Sequence, residues 1–152
     1  MDETSRGDEP IDVVVRLPRR AIEQTLLAAH AETKELDHCR LEAAKALLAG
    51  QRRRTKTFAA LRFYDPSWDI ILELYVATRE QRSLAVSQLC ELSCGSTTTA
   101  LRHLEHMEAL GYISRAEAPR DRRRLLVNML SPLAKAADDW LNLQIAGTGF
   151  AI

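Results

Sequence analysis

Arg120, Arg122, Arg123 and Arg124 crowd four guanidinium groups into five positions. A guanidinium is permanently charged, and its planar fork matches a phosphate or the edge of a guanine two bonds at a time. Upstream, the run Ser96-Thr97-Thr98-Thr99-Ala100-Leu101-Arg102-His103 sets hydroxyls, an arginine and a histidine at helical spacing. On a helical wheel of residues 97–110, Ala100, Leu101, Leu104, Met107 and Glu108 group on one side, with Thr97 at its edge. Thr98, Thr99, Arg102, His103 and His106 group on the other. Threonine can bond phosphate or pack its methyl on thymine, and arginine can take the guanine edge. A solvated polar face is the plain alternative for such a helix. The arginine cluster that follows it shifts the reading toward a polyanion.

Other residues suggest chemistry less specifically. Cys90 and Cys94 lie one helical turn apart, as a thiol switch or a metal pair would. Free cysteine also commonly serves as a small buried hydrophobe, and redox sensing requires an exposed thiolate of lowered pKa. His103 and His106, three apart, have only an acid such as Glu105 for company, so no metal site and no cofactor are assigned. There is no glycine-rich phosphate loop, nucleophile elbow or metal motif, and no catalytic residue is assigned. Asp138 and Asp139 beside Trp140 read as a solvated helix face. Arg52-Arg53-Arg54 reads either as a grip on phosphate or as a solvated connector.

Such residues need elements that aim them. Residues 1–17 carry several acids and read as a mobile arm with a short extended piece at Ile11–Val15. Pro18 suits a first helical turn, no Gly or Pro follows before Leu48, and Gly50 supplies a stop. Ile22, Leu26, Ala29, Leu36, Ala43 and Leu47 mark an apolar stripe along this long helix, which must pack on the domain or on a second copy. Residues 18–62 thus form a helical dimerisation arm with a basic connector from Gln51 to Arg62, for which a helix is one of the readings. Residues 63–131 form the core domain. It starts with a helix from Pro66 or Ser67 to about Thr78, whose inward stripe is Trp68, Ile71, Leu72 and Tyr75. A very short strand at Ser83–Leu84, a helix over 86–93, a turn at Cys94-Gly95, and a helix from Thr97 to Leu110 follow. Ser96 is its N-cap and Gly111 its stop. Tyr112–Glu117 and Arg123–Met129 read as strands of a hairpin with a basic tip. Residues 132–152 hold a last helix to about Ile145 and an apolar tail. Two short helices joined by a turn, then a hairpin, make a mainly α fold with a small β wing: a winged helix-turn-helix with a long N-terminal helix.

Residues 68–142 resemble the MarR-type (multiple antibiotic resistance regulator) winged-helix transcription factors. The stretches that carry the resemblance are Ser96–Arg102, Met107-Glu108-Ala109-Leu110-Gly111-Tyr112-Ile113 and the wing signature Asp121-Arg122-Arg123. The resemblance implies that Arg123 enters the minor groove or touches phosphate, with Asp121 orienting it through an ion pair. It also implies a homodimer built from N- and C-terminal helices, and it leaves room for a small-molecule effector of unassigned chemistry. The sequence departs from the family pattern in three places. Cys94 stands where the turn normally has glycine, with Gly95 one residue later. Met129-Leu130-Ser131-Pro132 displaces the usual Leu-Thr pair by one, and the helix of residues 18–48 is longer than usual.

The chain of 152 residues has 21 basic and 21 acidic side chains, 46% hydrophobic residues and 28% charged ones. Neutrality conceals an uneven distribution. Residues 1–45 hold 7 basic and 10 acidic side chains, whereas residues 46–124 hold 13 and 9. A polyanion responds to the local field of the basic clumps rather than to the sum. No window approaches 18 uninterrupted apolar residues, and residues 1–12 lack a leader's apolar segment, so neither membrane nor export is expected. Three cysteines are too few for a disulfide scaffold, which suits the cytoplasm. The reading is a non-enzymatic, sequence-specific regulator of transcription that binds double-stranded DNA as a homodimer. Ser96, Thr98, Thr99, Arg102 and His103 are its helix contacts, and Arg115, Arg122, Arg123 and Arg124 its wing contacts. The alternatives are a winged-helix module for protein contacts and a thiol-responsive regulator working through Cys90 and Cys94.

Overall fold

Asp65 and Pro66 fix the first helix of the core. The Asp65 carboxylate accepts a hydrogen bond from the Trp68 backbone N–H, and proline occupies the first turn, where no donor is needed. The computed structural model describes Val14, residues 16–93 and residues 95–147. The expected extended piece at Ile11–Val15 (Val14 apart), Cys94 and the tail from Thr148 lie outside them. Along the chain come α1 (Arg19–Thr57), α2 (Pro66–Arg79), β1 (Leu84–Ala85), α3 (Val86–Leu92), α4 (Thr97–Ala109), β2 (Ile113–Ala118), β3 (Asp121–Met129) and α5 (Ser131–Gly147). The chain divides into two units, residues 1–35 and 36–152. In the first, Ile22, Leu26 and Leu27 are exposed.

Within the second unit α2 is buried on two sides rather than along the one stripe expected. Ile70, Leu74 and Ala77 join Leu89 of α3, Ala100, Leu104 and Met107 of α4, Ile113 of β2 and Val127 of β3 in the winged-helix core. Leu72, Tyr75 and Val76 face the other way, into a cluster with Ala44 and Leu48 of α1 and Ala137 and Leu141 of α5. Trp68 and Trp140 meet edge to face there, 4.5 Å between ring centroids. The three helices are also tied by charge. Asp138 accepts from Tyr75 at 2.6 Å and from Arg79 at 2.8 and 2.9 Å, while Arg40 bonds Asp37 and Asn142.

Helix α1 does not stop at Gly50. It continues to Thr57 and takes in Arg52, Arg53 and Arg54. Glycine lowers helix propensity by about 1 kcal/mol, which flanking turns can override when they are packed. Leu48 is buried before it, and Arg52 pairs with the buried Glu73 of α2 at 2.7 Å after it.

The sheet has the order β1-β3-β2, antiparallel throughout. Ile113 pairs with Met129 and Ala118 with Asp121, so Pro119 and Arg120 form the hairpin tip. A register shift falls between Glu117 and Ala118. Helix α4 stops as a glycine stop should. Gly111 has φ +74, its N–H bonds the Glu108 carbonyl, and the Tyr112 N–H bonds that of Met107. This double closure releases the chain directly into β2.

Candidate nucleic-acid interface

Helix α4 presents two faces. Ala100, Leu104 and Met107 are buried, whereas Thr97, Thr98, Arg102, Glu105 and His106 are exposed. Ser96 is the N-cap: its Oγ accepts from the Thr99 N–H at 3.3 Å and shares a hydrogen bond with Thr99 Oγ1 at 3.0 Å. Thr99 is therefore half-buried and engaged. His103 is also half-buried, its Nδ1 lying 2.6 Å from Ser67 Oγ at the start of α2. Of the expected reading residues, Thr98 and Arg102 stand open to solvent. Thr99 and His103 brace the helix.

The wing residues divide in the same way. Arg115, near the base of β2, is gripped by Glu108 at the end of α4. The Glu108 carboxylate accepts from the Arg115 backbone N–H at 3.1 Å, from Nε at 2.9 Å and from Nη2 at 2.6 Å. The guanidinium beside it holds the Glu108 carboxyl below its ordinary value, and the same hydrogen bonds push Arg115 up. Arg124 donates to Gln88 Oε1 at 2.7 Å, an oxygen that also accepts from the Ala85 N–H at the start of α3. The hairpin is thus clamped to α4 by one arginine and to α3 by another. Arg120, Arg122 and Arg123 are exposed, and among the described residues no acid pairs with their side chains.

Asp121 acts differently from what the resemblance implied. Its Oδ1 accepts from the backbone N–H of Arg123 at 3.1 Å, and no ion pair joins it to the guanidinium. It shapes the tip and leaves the Arg123 side chain unspent. A hydrogen bond within the turn is the ordinary local use of aspartate.

The other clumps are more committed. Besides the Arg52–Glu73 pair, Arg54 lies 4.4 Å over the Phe63 ring. Arg53 is exposed. Cys90 is 5% exposed, and burial pushes its thiol up, with Glu91 adding to the effect. That is the environment of a packing cysteine, not of a reactive thiolate. Among the described residues no three His, Cys, Asp or Glu side chains gather as metal ligands. No helix among them is long and apolar enough to cross a membrane.

Gly95, at the turn, has a close neighbour. A Cβ on Gly95 would run into the ring of Tyr64, which lies against the backbone just before Ser96. A side chain at residue 95 would displace that ring. Sequence reasoning missed Tyr64 and the clamp residues Glu108 and Gln88. For Glu108 a signal existed: an acid and Arg115 flank the Gly111 turn, where the chain doubles back from helix to strand.

No protein-family model matches the chain, and no curated protein matches its sequence. Solved structures do. The MepR–DNA complex of S. aureus superimposes with TM-score 0.51 at 13% identity, over 84% of this chain and 87% of that one. PefR of Streptococcus agalactiae in complex with heme gives 0.45 at 15% identity, over 88% and 81%. Wild-type MarR of E. coli in its apo form gives 0.44 at 13%, over 85% and 77%. At these identities the likeness is one of fold, and the fold is the winged helix-turn-helix expected from the sequence.

Proposed function

We infer that the protein is a MarR-like regulator of transcription that binds double-stranded DNA sequence-specifically as a homodimer. The observation that carries the reading is that, among the described residues, no acid pairs with Arg102, Arg122 or Arg123, beside two other arginines that are spent on bracing the wing. A hairpin clamped to α3 and α4 with exposed arginines at its tip supports contact with a polyanion such as DNA. MepR, whose fold is shared, is seen in complex with DNA. In this reading Thr98 and Arg102 meet base edges in the major groove, Ser96 and Thr99 set the helix start against phosphate, and His103 holds the helix to α2. Arg122 and Arg123 contact the neighbouring groove or its phosphates, with Arg115 and Arg124 supporting them and Asp121 shaping the tip. Two copies present two recognition helices to half-sites about one helical turn apart.

Selection of bound DNA from a random duplex pool at two salt concentrations tests this. Enrichment of a palindrome is expected. Salt-sensitive binding without enrichment removes sequence specificity, and no binding at low salt removes DNA. On the enriched site, Arg123→Ala is expected to weaken all sequences alike and to reduce the slope of log K against log salt by about 0.9 per lost phosphate. Arg102→Ala is expected to cost about 1–3 kcal/mol and relax preference at one base pair.

A further inference from the structure

The segment between α1 and α2 is pinned at its two ends. Phe58 and Phe63 meet edge to face with centroids 6.1 Å apart, and the Arg54 guanidinium stacks on Phe63. Tyr64 lies on Gly95, immediately before the N-cap of α4. Asp65 then caps α2, and Ser67 bonds His103 of α4. This ordering is not explained by burial, since Tyr64 remains 52% exposed and Leu61 59%. Arg62 is exposed, and among the described residues no acid pairs with it. It stands two residues before Tyr64, so covalent geometry alone holds its Cα within about 7 Å of the Tyr64 Cα. The Tyr64 ring and hydroxyl are therefore held beside the start of the helix with the open polar face, and the exposed Arg62 lies two residues before them in the chain.

We propose that Arg62 and Tyr64 form a second phosphate grip, flanking the bases that α4 reads and independent of the wing. The proposal rests on the DNA-binding reading above. Tyr64 donates its hydroxyl to a phosphate oxygen while its ring stays on Gly95, and Arg62 pairs with the same or the adjacent phosphate. Both are residue types that commonly bind the DNA backbone, and contacts of this kind fix the register of a recognition helix without reading sequence.

The full-length protein and its selected duplex provide the test. Arg62→Ala is expected to lower the salt slope by about 0.9, which is roughly an eightfold loss at 0.1 M salt relative to 1 M. Arg62→Lys retains the slope, because a point charge suffices for phosphate. Tyr64→Phe keeps the ring and is expected to weaken binding about two- to tenfold. Phosphate-ethylation interference is expected to lose one set of phosphates in Arg62→Ala and a different set in Arg123→Ala. If Arg62→Ala leaves slope and interference pattern unchanged while Arg123→Ala alters both, the grip is overturned and the DNA-binding reading stands. If the wild type binds no duplex at low salt, both fall together.

Discussion

Glu108 spends its whole carboxylate on Arg115, and in doing so joins the last turn of α4 to the first strand of the wing. Because the carboxyl is held below its ordinary value of 4.5, the pair contributes stability that is fully present above that value. The contribution is lost as pH falls through the lower value of the folded state. Glu108→Gln is therefore expected to be less stable than the wild type at neutral pH, with the gap closing as urea denaturation is repeated at more acid pH. A gap that stays constant down to pH 3 would show that the carboxylate charge is not what holds the wing. Individual side chains were only partly legible before the structure. The residue types at Thr98, Arg102, Arg122 and Arg123 were enough to mark them, since exposure followed from helical phase and from the hairpin tip. The bracing roles of His103, Arg115 and Arg124 were not, because each depends on a partner, Ser67, Glu108 or Gln88, that the fold brings near. Composition shows which side chains can bind a phosphate; only packing shows which are already occupied.

At the level of elements, Gly50 is the most instructive departure. Glycine after a long Ala- and Leu-rich run signals a stop when propensity alone is weighed, yet α1 continues because Leu48 on one side and the Arg52–Glu73 pair on the other hold successive turns against α2. Nothing lies within 4 Å of a Cβ placed on Gly50. Gly50→Ala is accordingly expected to raise stability by about 1 kcal/mol, read from the urea midpoint at unchanged m-value. A destabilised variant would mean that the helix is bent or frayed at that point. The end of α2 shows the opposite case. It closes with the same pair of hydrogen bonds as α4, Gln81 to Thr78 and Arg82 to Ala77, but places Gln81 at φ 57 with no glycine to announce it. The end of α4, marked by Gly111, was readable. Strands β2 and β3 were each displaced by a residue or two, since pairing at the tip reaches Asp121 through the register shift at Ala118.

For the molecule as a whole, the balance of 21 basic and 21 acidic side chains says nothing about a partner until it is divided. The basic excess lies in residues 46–124, which contain the open faces of α4 and the wing, and the acidic excess lies in residues 1–45. Helix α1 itself holds 9 basic and 5 acidic side chains, and its first half carries apolar side chains that one chain leaves uncovered. Ile22 is 45% exposed, Leu26 64% and Leu27 70%; on α5, Leu143 is 70% exposed. Isolated exposed leucines are ordinary, but a run at helical spacing on a long helix favours association with a like surface. The homodimer proposed above would cover such apolar side chains and bring two recognition helices to a palindrome. The double variant Leu26→Glu, Leu27→Glu and the single variant Leu143→Glu separate the contributions of the two helices without shortening the chain. Light scattering is expected to give twice the chain mass for the wild type and the single chain mass for at least the double variant. The monomeric variant should still bind a half-site, with its salt slope roughly halved, because each copy brings its own wing. A wild type that scatters as a single chain and binds half-sites as tightly as palindromes would remove the dimer while leaving the DNA contacts of α4 and the wing in place.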